Sequence, residues 1–158
     1  MKYLFLLAIV FCAFISCKKS DGNTAPVIKF IKITPEIKAD RSLGNPILTI
    51  QIEDADGDYG FLESKDTSYI YVKNLTNTPF KLDSFKLPSN LGSVNLKSLK
   101  VQADVDLSLN SSNGSSVLAP RRLPTMPIDT MYFEVYMKDF KKNKSNVIKT
   151  DNPMLFKY

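Results

Sequence analysis

The chain has 158 residues, with 21 Lys and Arg against 16 Asp and Glu, two cysteines, no tryptophan and no histidine. The missing histidine excludes Ser-His and Cys-His nucleophile pairs and the usual His-containing zinc sites. The basic excess is scattered, with local clusters only at Arg121-Arg122 and Lys141-Lys142-Asn143-Lys144. No stripe of charge is available to track a phosphate backbone, so nucleic acid is not an expected partner.

Lys2, the apolar stretch of residues 3–15 and the small residue Ser16 ahead of Cys17 form the three parts of a secretory signal. The stretch is too short to cross a hydrocarbon core of about 30 Å, which takes roughly 20 helical residues. The other cysteine, Cys12, would leave with the signal, and Cys17 would then be an unpaired thiol in an oxidising compartment. A thioether-linked diacylglycerol accounts for it, and two or three acyl chains, at about 0.8 kcal/mol per methylene, hold a protein at a bilayer. The alternative is an ordinary signal peptide in which Cys17 happens to follow Ser16. The segment resembles the lipobox of bacterial lipoproteins through Ile15-Ser16-Cys17, departing at Phe14 where Leu or Val is commoner. That resemblance implies palmitate-type acylation at Cys17, anchoring in the cell envelope and, with Lys18 next, transport to the outer membrane.

Residues 1–16 are thus expected to be signal peptide and residues 17–25 a lipidated cysteine with a polar tether, about 15 Å long as a coil and at most about 30 Å. Residues 26–158 fit one domain large enough to bury a core without staples. From Pro26 onward the apolar pattern has period two. Strands are expected at residues 27–34 and at 47–53, where Leu48, Ile50 and Ile52 share a face. Others follow at 69–73, along the alternation of Leu99, Val101, Ala103, Val105, Leu107 and Leu109, and at 130–138, where Met131, Phe133, Val135 and Met137 alternate with polar residues. Residues 147–150 and 154–157 finish the chain as one broken strand or two. About seven short strands separated by turn-rich segments predict an all-β, antiparallel, immunoglobulin-like β-sandwich, with a small barrel as the competitor. Residues 75–94 and 110–129 are expected to be long loops, where binding usually sits.

The second strand runs into Asp54-Ala55-Asp56-Gly57-Asp58. Aspartates at alternate positions, with a glycine for the turn, can aim carboxylates at one point, and a hard cation such as calcium makes that crowding favourable. The spacing is not that of an EF-hand. A metal-free turn is the other reading, because Asp and Gly are good turn formers and Lys138, Lys141, Lys142 and Lys144 can neutralise the acids. In an immunoglobulin-like sandwich the B–C and F–G loops meet, which brings Asp139 and Asn143 toward Asp54, Asp56 and Asp58 as candidate ligands. The parity of Asp54 points it inward. The tether is expected to enter at the opposite end, leaving the acidic turn facing away from the membrane.

The D-x-D-G-D of residues 54–58 and the D-x-x-x-N-x-S-N of residues 139–146 resemble a family of small Bacteroidetes-type lipoproteins, most of unknown function, with an immunoglobulin- or fibronectin-like domain. The sequence departs from that pattern at Lys142, where glycine often stands, and at Tyr59, where Ile or Val is frequent.

Tyr69 and Tyr71 share one face of the strand expected at residues 69–73, and Tyr132 and Tyr136 one face of that expected at 130–138. These four tyrosines would stand on an outer sheet face, either as cross-strand pairs that stabilise the sheet or as a surface for a glycan or an envelope protein. The expected function is a non-catalytic envelope lipoprotein acting as a binding or spacer module. A carbohydrate-binding or carbohydrate-active component of an outer-membrane uptake system, using acids such as Asp54, Asp56, Asp58, Glu63 and Asp66, is the alternative.

Overall fold

A computed structural model describes residues 24–39, 44–60, 67–76, 79–87, 100–107, 117–118, 125 and 127–157. Cys17, the expected signal, Glu63, Asp66, Leu99 and Leu109 lie outside them. The described residues form ten strands and no helix: β1 (Val27–Thr34), β2 (Ile37–Ala39), β3 (Ile47–Glu53), β4 (Tyr69–Asn74), β5 (Lys81–Lys86), β6 (Lys100–Asp106), β7 (Ile128–Met131), β8 (Phe133–Lys138), β9 (Ile148–Lys149) and β10 (Met154–Lys157).

One layer is β1-β3-β6, antiparallel throughout. The other is β5-β4-β8-β9, extended at its lower end by β7, β10 and β2, where β10 pairs antiparallel with β7 and parallel with β2. This is the immunoglobulin-like order, with β1, β3 and β6 as strands A, B and E, and β4, β8 and β9 as C, F and G. The first strand changes layers at the cis Thr34-Pro35 bond, after which Leu155 N–H donates to the Glu36 carbonyl at 2.8 Å.

Period-two alternation puts one face of each layer inside. Leu48, Ile50 and Ile52 of β3 and Val72 of β4 are fully buried, as are Phe133, Val135 and Met137 of β8, and they form one cluster with Val105 and Leu107. Each such side chain contributes about 1.5–3 kcal/mol by leaving water.

The strand count exceeds the expected seven for three local reasons, the first being the short β2 after Thr34-Pro35, which pairs with β10. The expected loop at residues 75–94 contains β5, whose register against β4 continues the sheet from Lys86 opposite Tyr69 to Lys81 opposite Asn74. The strand expected at residues 130–138 breaks at Tyr132, because β7 pairs with β10 and β8 with β4. The end of the chain takes the two-strand alternative already expected, interrupted where Thr150 turns its side chain back, its Oγ1 accepting from Phe133 N–H at 3.1 Å.

The direction of β1 corrects the expected polarity of the domain. Val27 lies opposite Glu53, so the chain enters β1 beside the acidic turn rather than at the far end. The side-chain amide of Asn143 contacts Thr24 Oγ1 at 3.4 Å. The opposite end of the sandwich holds the turn after β4, the segment leading to β7 and the end of β10. There the Asn74 side chain donates to the Val117 carbonyl at 2.8 Å.

Candidate functional site

The acidic turn leaves β3 at Glu53. Asp54 continues the inward parity of Ile50 and Ile52 and is only 1% exposed. Its Oδ1 accepts from Asp56 N–H at 3.3 Å, and Gly57 at φ 72° reverses the chain without the steric cost a side chain would bring. Gly60 and Ser68 close the base of the loop, with Ser68 N–H donating to the Gly60 carbonyl at 3.0 Å and Gly60 N–H to Ser68 Oγ at 3.2 Å. One carboxylate oxygen from each of Asp54, Asp56 and Asp58 lies within 4.8 Å of the others.

The turn between β8 and β9 meets this loop, as the immunoglobulin-like order requires. Phe140 N–H donates to the Asp58 carbonyl at 2.9 Å. The Lys141 ammonium lies 2.6 Å from Asp56 Oδ2 and 3.1 Å from Asp58 Oδ2. Lys141 is thus the neutralising lysine; Lys142 instead donates to the Thr67 carbonyl, at 3.2 Å. Asp139 and Asn143 do not turn their side chains into the acidic loop. The two Asp139 oxygens accept from Asn143 N–H at 2.7 Å and Asn143 Nδ2 at 2.8 Å, so these residues build the turn that holds Lys141 in place. Ser145 Oγ accepts from Met137 N–H at 2.9 Å and donates to the Asn146 carbonyl at 2.7 Å, completing the turn.

The electrostatics follow from burial and one ammonium among three acids. Burial, the hydrogen bond to Asp56 and the charges of Asp56 and Asp58 push the Asp54 carboxyl up to about 7. Asp58 is raised as well, by burial first and by the charge of Asp139, against the pull of Lys141. Partial burial is the largest single influence on Asp56 and opposes its ionisation, but the hydrogen bonds to Lys141, Asp54 and Asp58 and the charge of Lys141 together hold Asp56 below the ordinary carboxylate value. Lys141 is held protonated, first by Asp56 and then by Asp58. Asp54 Oδ2, Asp56 Oδ1 and Asp58 Oδ1 are buried with no hydrogen-bond donor. Tyr59, 1% exposed, also has a buried hydroxyl without a partner, and burial followed by the Asp54 charge pushes that hydroxyl up to about 12. The orphaned oxygens and the donor chemistry suit calcium, which takes six to eight oxygens.

The tyrosine face is assembled differently from the acidic turn. Tyr71 on β4 and Tyr136 on β8 are directly opposite and stack with centroids 4.8 Å apart and planes 9° apart. Tyr69 joins at 6.3 Å from Tyr71, tilted by 48°. Tyr132 does not join; it sits 43% exposed at the break between β7 and β8, its N–H donating to Thr76 Oγ1 at 3.2 Å. The outward ring faces are covered by lysines, Lys144 lying 4.2 Å from the Tyr136 centroid and Lys138 5.8 Å from that of Tyr71. Sequence reasoning missed this docking of lysine on tyrosine, although Lys138 directly opposite Tyr69 in the register is the signal that carries it.

Comparison of the chain with protein-family models, with curated proteins and with solved structures finds no match.

Proposed function

We propose that this chain is a non-catalytic, lipid-anchored binding or spacer module of the cell envelope, with the acidic turn on its anchored side. The observation that carries the reading is the lipobox-like Ile15-Ser16-Cys17, and the entry of the chain into β1 beside Glu53, with Thr24 against Asn143, supports the orientation. Six residues separate Cys17 from Thr24, and the seven steps from one to the other span at most about 25 Å. An acyl chain on Cys17 therefore keeps the acidic turn near the bilayer and leaves the segment before β7 and the end of β10 outermost. A hydrolytic role for the acids is poorly supported: they converge within 4.8 Å and are bridged by Lys141, whereas paired catalytic carboxylates stand about 5–9.5 Å apart around a substrate. Growth of an expressing bacterium with labelled palmitate tests the anchor. Label on the full chain, lost together with membrane association in Cys17→Ala, is expected; equal membrane association of Cys17→Ala would overturn it.

A second reading, that the acidic turn holds calcium, is favoured by the buried carboxylate oxygens of Asp54, Asp56 and Asp58 that have no donor. A site with a dissociation constant near 0.1 mM would stabilise the fold by roughly 1.4 kcal/mol at about 1 mM calcium. Thermal melts with calcium and then chelator test it. The midpoint should rise and fall back, with a larger rise in Lys141→Gln, where the competing ammonium is gone. A midpoint indifferent to calcium in both proteins would remove the site.

A further inference from the structure

We infer that the outer face of the β5-β4-β8-β9 sheet is a binding surface for a linear acidic polysaccharide. The inference deepens the reading of the domain as an envelope module, and relies on it for where the ligand is met rather than for the chemistry of the surface. Residues directly opposite each other in an antiparallel pair point to the same side. The register therefore places Lys73, Glu134 and Lys149 in one row across the sheet, and Tyr71 with Tyr136 in the next. Lys138 lies opposite Tyr69, and Lys144 is bridged to Lys138.

These four lysines have no carboxylate within ion-pair distance among the described residues. Three are held over aromatic rings instead: Lys138 and Lys144 on the Tyr71-Tyr136 stack, and Lys73 at 4.3 Å from the Phe80 centroid. A ring fixes an ammonium in place without cancelling its charge. Glu134 is the single acid in these rows. The opposite layer is arranged otherwise, with Lys100 paired to Glu53 at 3.8 Å and Asp104 accepting from Thr49 Oγ1 at 2.7 Å. The four lysines of the tyrosine-bearing face thus keep their charge without an ion-pair partner among the described residues, with Glu134 as the one acid in their rows.

The spacing of those charges selects the partner. Lys73 and Lys149 flank one end of the patch, Lys138 and Lys144 the other, and four residues of strand separate the two pairs, about 13 Å. One small anion cannot reach both pairs; an extended polymer carrying a carboxylate at intervals can. Between them the surface is tyrosine and, on β5, the exposed Ser84 opposite Tyr71, which offer hydroxyls suited to sugar hydroxyls. With the ring faces of Tyr71 and Tyr136 already covered, recognition rests on charge and hydroxyl contacts rather than on stacking sugar against the rings.

The test uses the full chain purified in detergent, with polygalacturonate as the acidic polymer, dextran as the neutral one, and phosphatidylcholine vesicles containing phosphatidylglycerol as the lipid surface. Polygalacturonate should bind and dextran should not. Affinity should weaken by about tenfold when salt rises from about 0.05 M to about 0.5 M. Lys73→Gln/Lys149→Gln and Lys138→Gln/Lys144→Gln should each weaken binding by about fivefold or more, whereas Lys100→Gln on the other layer should not change it. Two separate double variants keep the test decisive if one pair also supports the fold. Absence of polygalacturonate binding, binding unaltered in both double variants, or vesicle binding that is tighter and lost in the same variants would overturn the inference. None of these outcomes bears on acylation of Cys17, which the palmitate label reads separately.

Discussion

Asn146 holds both backbone groups of Ile28: its Oδ1 accepts from the Ile28 N–H at 2.7 Å, and its Nδ2 donates to the Ile28 carbonyl at 2.9 Å. A side-chain amide thereby performs, for one residue of β1, the part of a neighbouring strand, and it ties the turn after β8 to the start of the chain's first strand. Asn146→Ala should leave two part-buried backbone groups without partners and cost about 1–3 kcal/mol. Asn146→Asp, which keeps the acceptor and loses the donor, should fall between the two. Urea unfolding with a constant slope checks both.

Lys142 carries φ of 69°, a left-handed conformation that costs an L-residue about 1–2 kcal/mol and glycine very little. Its carbonyl neighbour Asp139 and the bond from Asn143 N–H fix that geometry, so the chain cannot relax out of it. Lys142→Gly should raise stability by about 0.5–1 kcal/mol after the greater entropy of the unfolded chain is allowed for. Lys142→Ala, which keeps the Cβ, should give no such gain in the same melts.

The acidic turn predicts a pH dependence of known sign. Asp54 titrates near 7 in the folded chain and at 3.8 when unperturbed, so between those values the folded state binds the extra proton. That stabilisation is complete below the unfolded value and is lost as pH rises through about 7. Asp58, also raised, acts in the same sense; Asp56, held low by Lys141, acts oppositely, its contribution being lost only as pH falls through its depressed value. In chelator, the melting midpoint should therefore be higher at about pH 5 than at about pH 8. Asp54→Asn should flatten the dependence and raise the midpoint at the higher pH.

The Tyr71-Tyr136 stack should be visible as coupling. In a double-mutant cycle, Tyr71→Ala/Tyr136→Ala is expected to lose about 0.5–1.5 kcal/mol less than the sum of the two single losses. An additive result would mean that the rings stabilise the sheet only through their separate contacts.

Much of this was readable from residues alone where period two was uninterrupted. Leu48, Ile50 and Ile52, and Phe133, Val135 and Met137, alternate cleanly, and their inward face follows from strand geometry. The meeting of Asp58 with Phe140 followed from placing both turns at one end of an immunoglobulin-like order. β5 was hidden because its two apolar residues fall on opposite faces of an edge strand, Phe85 packing inward and Leu82 exposed, so its composition carries no apolar alternation to read. The turn of residues 139–146 was noticed as a pattern, but its meaning is backbone geometry: Asp139 spends both oxygens on Asn143, which a ligand count over acidic side chains cannot reveal. The polarity of the first strand was misjudged because alternation says which side a residue faces and nothing about which end of a strand comes first.

The parallel pairing of β2 with β10, joining Leu155 to Ile37, Phe156 to Lys38 and Lys157 to Ala39, has a mechanical consequence. β1 begins at one end of the domain and β10 finishes at the other, so tension between an anchored tether and a load on the far end runs along the strands. It drags β2 and β10 past one another lengthwise, and the bonds of that ladder resist together instead of opening one after another as in a zipper.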